Sequence, residues 1–136
     1  MVPLRIHNII DYFVGAFLIA VPWIIGVEEV SSARNVFLAS GVSLIGYSLL
    51  TNYYFSVARI IPLGIHMTLD TILGIFLILA PALFGYREQL IETQYVEHVV
   101  TGVLLVGLVA LTRPRTEASK TTLDRAAIQH QLPLNR

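Results

Sequence analysis

Four long apolar stretches alternate with short polar breaks along this 136-residue chain. They cover residues 3–26, 36–55, 63–84 and 96–111. At about 1.5 Å of rise per residue, the first three are long enough to cross a hydrocarbon core of about 30 Å as helices. The fourth is slightly short, and the segment before it, with Glu88, Glu92 and Glu97, extends it outward. The first stretch starts at Pro3, suited to a first helical turn because its missing N–H would be unpaired there. The second ends in Tyr53, Tyr54 and Phe55, an aromatic girdle of the kind found at a membrane interface. Residues 28–35 read as a polar turn and 56–63 as a linker holding Arg59 and Pro62.

The pattern is also duplicated. Residues 3–27 and 62–86 align without a gap, matching at Pro3 and Pro62, His7 and His66, Asp11 and Asp70, and Gly15 and Gly74. The matches continue through Phe-Leu-Ile in both copies, then Pro22 and Pro81, then Gly26 and Gly85. Gly41-Val-Ser-Leu-Ile-Gly46 in the second stretch is echoed by Gly102-Val-Leu-Leu-Val-Gly107 in the fourth, shifted by two residues relative to the first pairing. The unit copied is therefore a whole two-helix hairpin.

Composition agrees. The chain is 55% hydrophobic and only 13% charged, against about a quarter charged in soluble domains. A lipid environment accounts for that surplus of apolar surface. The net charge of zero makes no case for nucleic-acid binding. The absence of cysteine excludes disulfides, thiol catalysis, iron–sulfur clusters and thiolate zinc sites. Asp11 interrupts the first apolar run and no small-x-small cleavage site precedes Glu28, so this run reads as a retained span and not a signal peptide.

Basic residues orient the spans. Arg5, Arg59, Arg113, Arg115, Lys120, Arg125 and Arg136 fall on one side, and only Arg34 and Arg87, beside the glutamates, on the other. By the positive-inside rule both termini are expected in the cytoplasm. Each hairpin has two spans, so the copies share one orientation and are expected to be related by a pseudo-two-fold axis along the membrane normal. The expected fold is all-α: a transmembrane four-helix bundle over residues 1–112, with repeats at about 3–55 and 62–111. Residues 113–136 form a cytoplasmic polar tail, with 121–132 a weak amphipathic helix candidate. Residues identical in the two copies are expected at the contact between the first and third helices, though the pairing could alternate.

His7 and Asp11 stand one helical turn apart, as do His66 and Asp70, so each pair can touch on its own helix. Ionisable groups this deep are costly in lipid and face the bundle interior. Four readings stay open for this cluster. The pairs can satisfy one another structurally, helped by the helix N-terminus. They can bind a divalent metal through nitrogen and oxygen, ligate haem through two histidines, or carry protons or ions. His98 and His130 lack matching partners and read as surface residues.

Pro22 and Pro81 remove a helical bond to the carbonyls of Leu18 and Leu77 and are expected to kink or loosen the last turn. Trp23 is an interface anchor. Ala39, Ser40, Gly41, Ser43 and Gly46 allow close packing of the second helix. No nucleophile elbow, P-loop, dinucleotide fingerprint or HExxH occurs, so an enzyme is unsupported and no cofactor is implied.

The tripeptides Val21-Pro22-Trp23 and Ala80-Pro81-Ala82 sit inside matching Gly-x-x-Leu-x-x-x-Pro frames, at Gly15 to Pro22 and Gly74 to Pro81. Over about residues 3–112 the chain resembles the SPW repeat family, small bacterial and archaeal membrane proteins with a Ser-Pro-Trp motif in the first helix of a two-helix unit. Serine is absent from both copies here and tryptophan from the second. The resemblance implies fold and topology and brings no activity with it. The expected protein is thus a bacterial inner-membrane scaffold or accessory subunit, with the bilayer and either a second copy or another membrane protein as partners. A small transporter, channel or ligand-binding bundle is the alternative, and a metal- or haem-binding redox protein the weaker one.

Overall fold

The computed structural model describes residues 2–52 and 57–112. It contains four helices: α1 (Leu4–Ile24), α2 (Ser31–Leu50), α3 (Leu63–Leu83) and α4 (Glu92–Leu111), with a 3-10 turn at Arg87–Gln89 before α4. All four are long and apolar enough to cross a membrane. The girdle of Tyr53, Tyr54 and Phe55, the tail and His130 lie outside the described residues.

The ends of α1 and α3 follow from the repeated prolines and glycines. Pro3 and Pro62 stand just before the helices in extended conformation, φ −66° and −61°, the value their rings impose. Their carbonyls receive the N–H groups of His7 and His66 at 3.1 and 3.2 Å. At the other end Gly26 and Gly85 adopt φ of 73° and 66°, a left-handed conformation open to glycine at little cost. The N–H of Val27 then reaches back to Pro22 O at 2.8 Å and that of Tyr86 to Pro81 O at 3.1 Å, the six-to-one bond of a Schellman stop.

The apolar pattern marks lipid depth, and helix ends depart from it. α2 starts at Ser31 because Ser31, Ser32, Arg34 and Asn35 continue the helix beyond its apolar part. It ends at Leu50 because Thr51 turns extended and forms a short parallel bridge with Ile61. A matching bridge joins Val2 to Thr112, so the end of α4 is tied to the start of α1.

Within each hairpin the helices nearly touch. A Cβ on Gly41 would stand 2.6 Å from Gly15 O, and one on Gly74 2.7 Å from Gly102 O. Gly15 and Gly74, identical in the two copies, therefore pack against α2 and α4 and not at a contact between α1 and α3. Their lack of a side chain is used to bring each hairpin's own two backbones together. α2 packs on α3 between the hairpins. Leu18, Val21, Phe37, Leu44, Leu77 and Leu105 form the core. Phe13, Ile72 and Leu104 face outward, more than half exposed, as helices in lipid permit.

Substitution of Gly41 tests this packing. Gly41→Val should lower stability by about 1–3 kcal/mol, the usual cost of overpacking, read as a lower melting temperature in detergent. Gly46→Ala, with nothing within 4 Å of the added carbon, should melt at or above the wild-type temperature.

A buried histidine–aspartate quartet

One turn inside α1 the inward stripe is His7, Asp11, Gly15 and Leu18, and in α3 it is His66, Asp70, Gly74 and Leu77. The polar pair of each stripe lands at the same depth. His7, Asp11 and His66 are fully buried and Asp70 is 1% exposed.

The four groups exchange partners across the hairpins. His66 Nε2 lies 3.1 Å from Asp11 Oδ2, and His7 Nε2 lies 3.2 Å from Asp70 Oδ2. Within helices, His66 Nε2 is also 3.1 Å from Asp70 Oδ2, and His7 Nε2 is 3.5 Å from Asp11 Oδ1. The i,i+4 pairs expected along each helix are present, and the cross pairs are equally short or shorter. The imidazole rings stand edge to face, 5.9 Å between centroids.

Two threonines orient the rings. Thr112 donates its hydroxyl proton to Leu108 O at 2.7 Å, so its oxygen accepts from His7 Nδ1 at 2.8 Å. Thr51 donates to Tyr47 O at 2.7 Å and accepts from His66 Nδ1 at 2.8 Å. A hydroxyl has one proton to give, so both Nδ1 atoms carry hydrogen and both Nε2 atoms point at the carboxylates. Each Nε2 then shares one proton with the carboxylates it faces, and the quartet is neutral with two of them. The hydroxyl of Tyr47 donates to Asp70 Oδ1 at 2.6 Å. Asp11 Oδ1 has no hydrogen-bond donor among the described residues; the residue that matches Tyr47 in the second copy, six positions after Gly102, is Leu108, which has no hydroxyl to give.

Thr51, Thr112 and Tyr47 are absent from the candidates that the sequence alone suggests. The threonines carry a signal: each closes a Leu-Thr pair ten residues after Gly41 or Gly102. Tyr47 carries none, since its counterpart is not a tyrosine.

At the opposite end the surface reading of His98 is corrected. His98 is fully buried and stacks on Phe37 with ring centroids 4.2 Å apart and planes 28° from parallel. Each lies four residues before its helix's packing glycine, so they are the inward positions of α4 and α2. The outlook of a residue on a helix follows from its face, and the absence of a matching histidine says nothing about it. Tyr86 lies 5.6 Å from His98, centroid to centroid, and burial pushes its hydroxyl pKa above the ordinary value. On the surface nearby, Arg87 donates to Glu92 at 2.8 Å. Gln94 donates to Ile25 O and Gly26 O, at 3.0 and 3.2 Å, tying the end of α1 to α4.

The SPW repeat domain model matches residues 5–112. The chain belongs to the SPW repeat family. With four apolar helices it is an integral membrane protein. No curated protein and no solved structure matches it. The SPW tripeptides lie at the end of the bundle away from the quartet. Val21 and Ala80 are fully buried and Pro22 and Pro81 are buried beside them, while Trp23 is 56% exposed and Ala82 also faces out. The first two positions of the SPW motif thus pack inward and the third outward. A haem between His7 and His66 is not accommodated, because the carboxylate oxygens fill the space between the two Nε2 atoms.

Thr51→Val keeps the shape and removes the acceptor of the His66 Nδ1–H. The expected cost is about 1–3 kcal/mol for a buried donor left unpaired, read by thermal unfolding. Nitrogen-15 histidine spectra should show the change at His66 alone, with His7 responding instead to Thr112→Val.

Proposed function

We propose that this SPW repeat protein is a non-enzymatic membrane scaffold or accessory subunit whose two hairpins are held together by the His7, Asp11, His66 and Asp70 quartet. The observation that carries this reading is the reciprocal crossing, His66 to Asp11 and His7 to Asp70. In hydrocarbon there is no water to take over these bonds. A hairpin that separated would expose charged or unpaired groups to lipid, so the pair is held more strongly than its apolar contacts alone would hold it. The matched bridges, Val2 with Thr112 and Ile61 with Thr51, support a pseudo-two-fold relation between the copies. The clustering of arginines at the ends where α1 and α3 begin supports cytoplasmic termini.

A second copy of the chain is the partner we propose. α4 is the least covered of the four helices. Beside it, between α1 and α4, runs an apolar groove of about 720 Å³ bordered by Phe17, Leu104 and Leu108. The chain has no cysteine, so Leu104→Cys gives a single reporter. It should form disulfide dimers in native membranes, whereas Ile72→Cys on α3 should not; the opposite pattern excludes this face.

The quartet reading is tested with Asp11→Asn and Asp70→Asn. Each should lower stability by about 3–5 kcal/mol, as removal of one partner from a buried pair does. Asp70→Asn should cost more, since Tyr47 also loses a charged acceptor. Wild-type melting for both would overturn the reading. Ion flux in proteoliposomes should be the same for wild type and the double variant; flux abolished in a folded double variant would favour the transporter.

A further inference from the structure

We infer that the quartet is a closed, four-coordinate site for a divalent first-row transition ion, of which zinc is the representative. This inference rests on the quartet joining the two hairpins and names a ligand for it.

The geometry points to a metal in four ways. First, His7, Asp11, His66 and Asp70 each offer a ligand atom, and these atoms all lie within 4.8 Å of one another. Three His–Asp separations, 3.1, 3.1 and 3.2 Å, run to one oxygen of each aspartate, Oδ2, and lie near the edge of a tetrahedron with arms of about 2.1 Å, which is about 3.4 Å; the fourth, 3.5 Å, runs from His7 Nε2 to the other oxygen of Asp11, Oδ1. An ion at its centre asks Asp11 to turn one oxygen inward and the donors, which lie up to 4.8 Å apart, to draw together.

Second, both histidines carry their hydrogen on Nδ1, held by Thr112 and Thr51. The lone pair of a neutral imidazole is then on Nε2, aimed at the centre. This is the tautomer control that outer partners provide for metal-bound histidines.

Third, Tyr47 binds Asp70 through Oδ1 and leaves Oδ2 facing both imidazoles. Asp70 can thus serve as a one-oxygen ligand, while Asp11 presents one oxygen to each imidazole.

Fourth, charge balances. Two carboxylates and two neutral imidazoles match one dication, so the filled site is neutral, as burial in lipid favours. Two nitrogen donors disfavour magnesium and calcium, which take oxygen. With four protein ligands and full burial there is no position for water or substrate, so the site is structural. The ion would replace the two shared protons as the bridge between hairpins.

The experiment uses the full chain in detergent, dialysed against chelator and titrated with zinc chloride and, separately, with cobalt(II) chloride. One zinc per chain, a raised melting temperature and the intense visible bands of tetrahedral cobalt(II) are expected. His7→Gln should lose stoichiometric zinc. The double variant Thr51→Val with Thr112→Val, which keeps all four ligands, should bind about 10–100-fold more weakly. Circular dichroism and gel filtration verify that each variant is folded before titration, and Thr51→Val alone stands in where the double variant fails.

No stoichiometric zinc on folded wild type, octahedral cobalt bands, or unchanged binding by His7→Gln would each overturn the site. The metal-free melting of Asp11→Asn separates this from the bridging role. A lowered melting temperature alongside a wild type that binds no zinc removes the metal and leaves the proton-shared bridge. An unchanged one removes the bridge.

Discussion

A carboxylate surrounded by hydrocarbon has to find its partners within the protein, and most of this structure can be understood from that constraint. Asp11 and Asp70 lie about 10 Å inside their helices by the rise per residue, where water cannot relieve them. Each helix supplies a histidine one turn away. A histidine on the same helix satisfies part of the carboxylate, and the histidine on the other hairpin adds a second contact. In the bridging role we propose, the exchange commits the two hairpins to one depth and one rotation, because a one-residue shift turns the group by about 100° away from its partner.

The rest of the fold supplies the precision this exchange needs. The glycine contacts, Gly15 with Gly41 and Gly74 with Gly102, bring two helices close and set their relative rotation. The short bridges at Thr51 and Thr112 carry a hydroxyl to each imidazole from a neighbouring helix end. A threonine at the last turn can give its proton to its own helix carbonyl and still accept one. That is why it fits a place where a serine or threonine in mid-helix would tend to bend the backbone. The asymmetry lies in Tyr47, present on one side and replaced by Leu108 on the other. It gives Asp70 one more bond than Asp11, and it makes Asp11 the less satisfied of two otherwise matched carboxylates.

Duplication accounts for how such a cluster arises from one hairpin. A lone hairpin with one histidine and one aspartate has half of the cluster. Two copies packed together double the imidazoles and carboxylates and let each imidazole serve two carboxylates. The SPW tripeptides, at the other end of the bundle, serve helix termination instead. The proline carbonyl takes the Schellman bond after Gly26 or Gly85, while Trp23 points outward.

Much of this is legible in the residues alone. Apolar run length marks membrane spans because lipid thickness is a fixed requirement, and the repeat marks His7, Asp11, His66 and Asp70 because buried charge is rare enough to stand out. Proline and glycine mark helix limits through φ. Periodicity leaves open which face meets which helix, which is why it favours the wrong contact for the packing glycines; the surface reading of His98 comes from its lack of a matching copy, which says nothing of its face. Spacing determines what shares a face on one helix; the tertiary structure decided that the aspartates trade histidines across hairpins, and that Thr51, Thr112 and Tyr47 complete the site. Those choices depend on the rotation and offset of whole helices, which come from close backbone approach between segments far apart in the chain, and no local pattern carries that information.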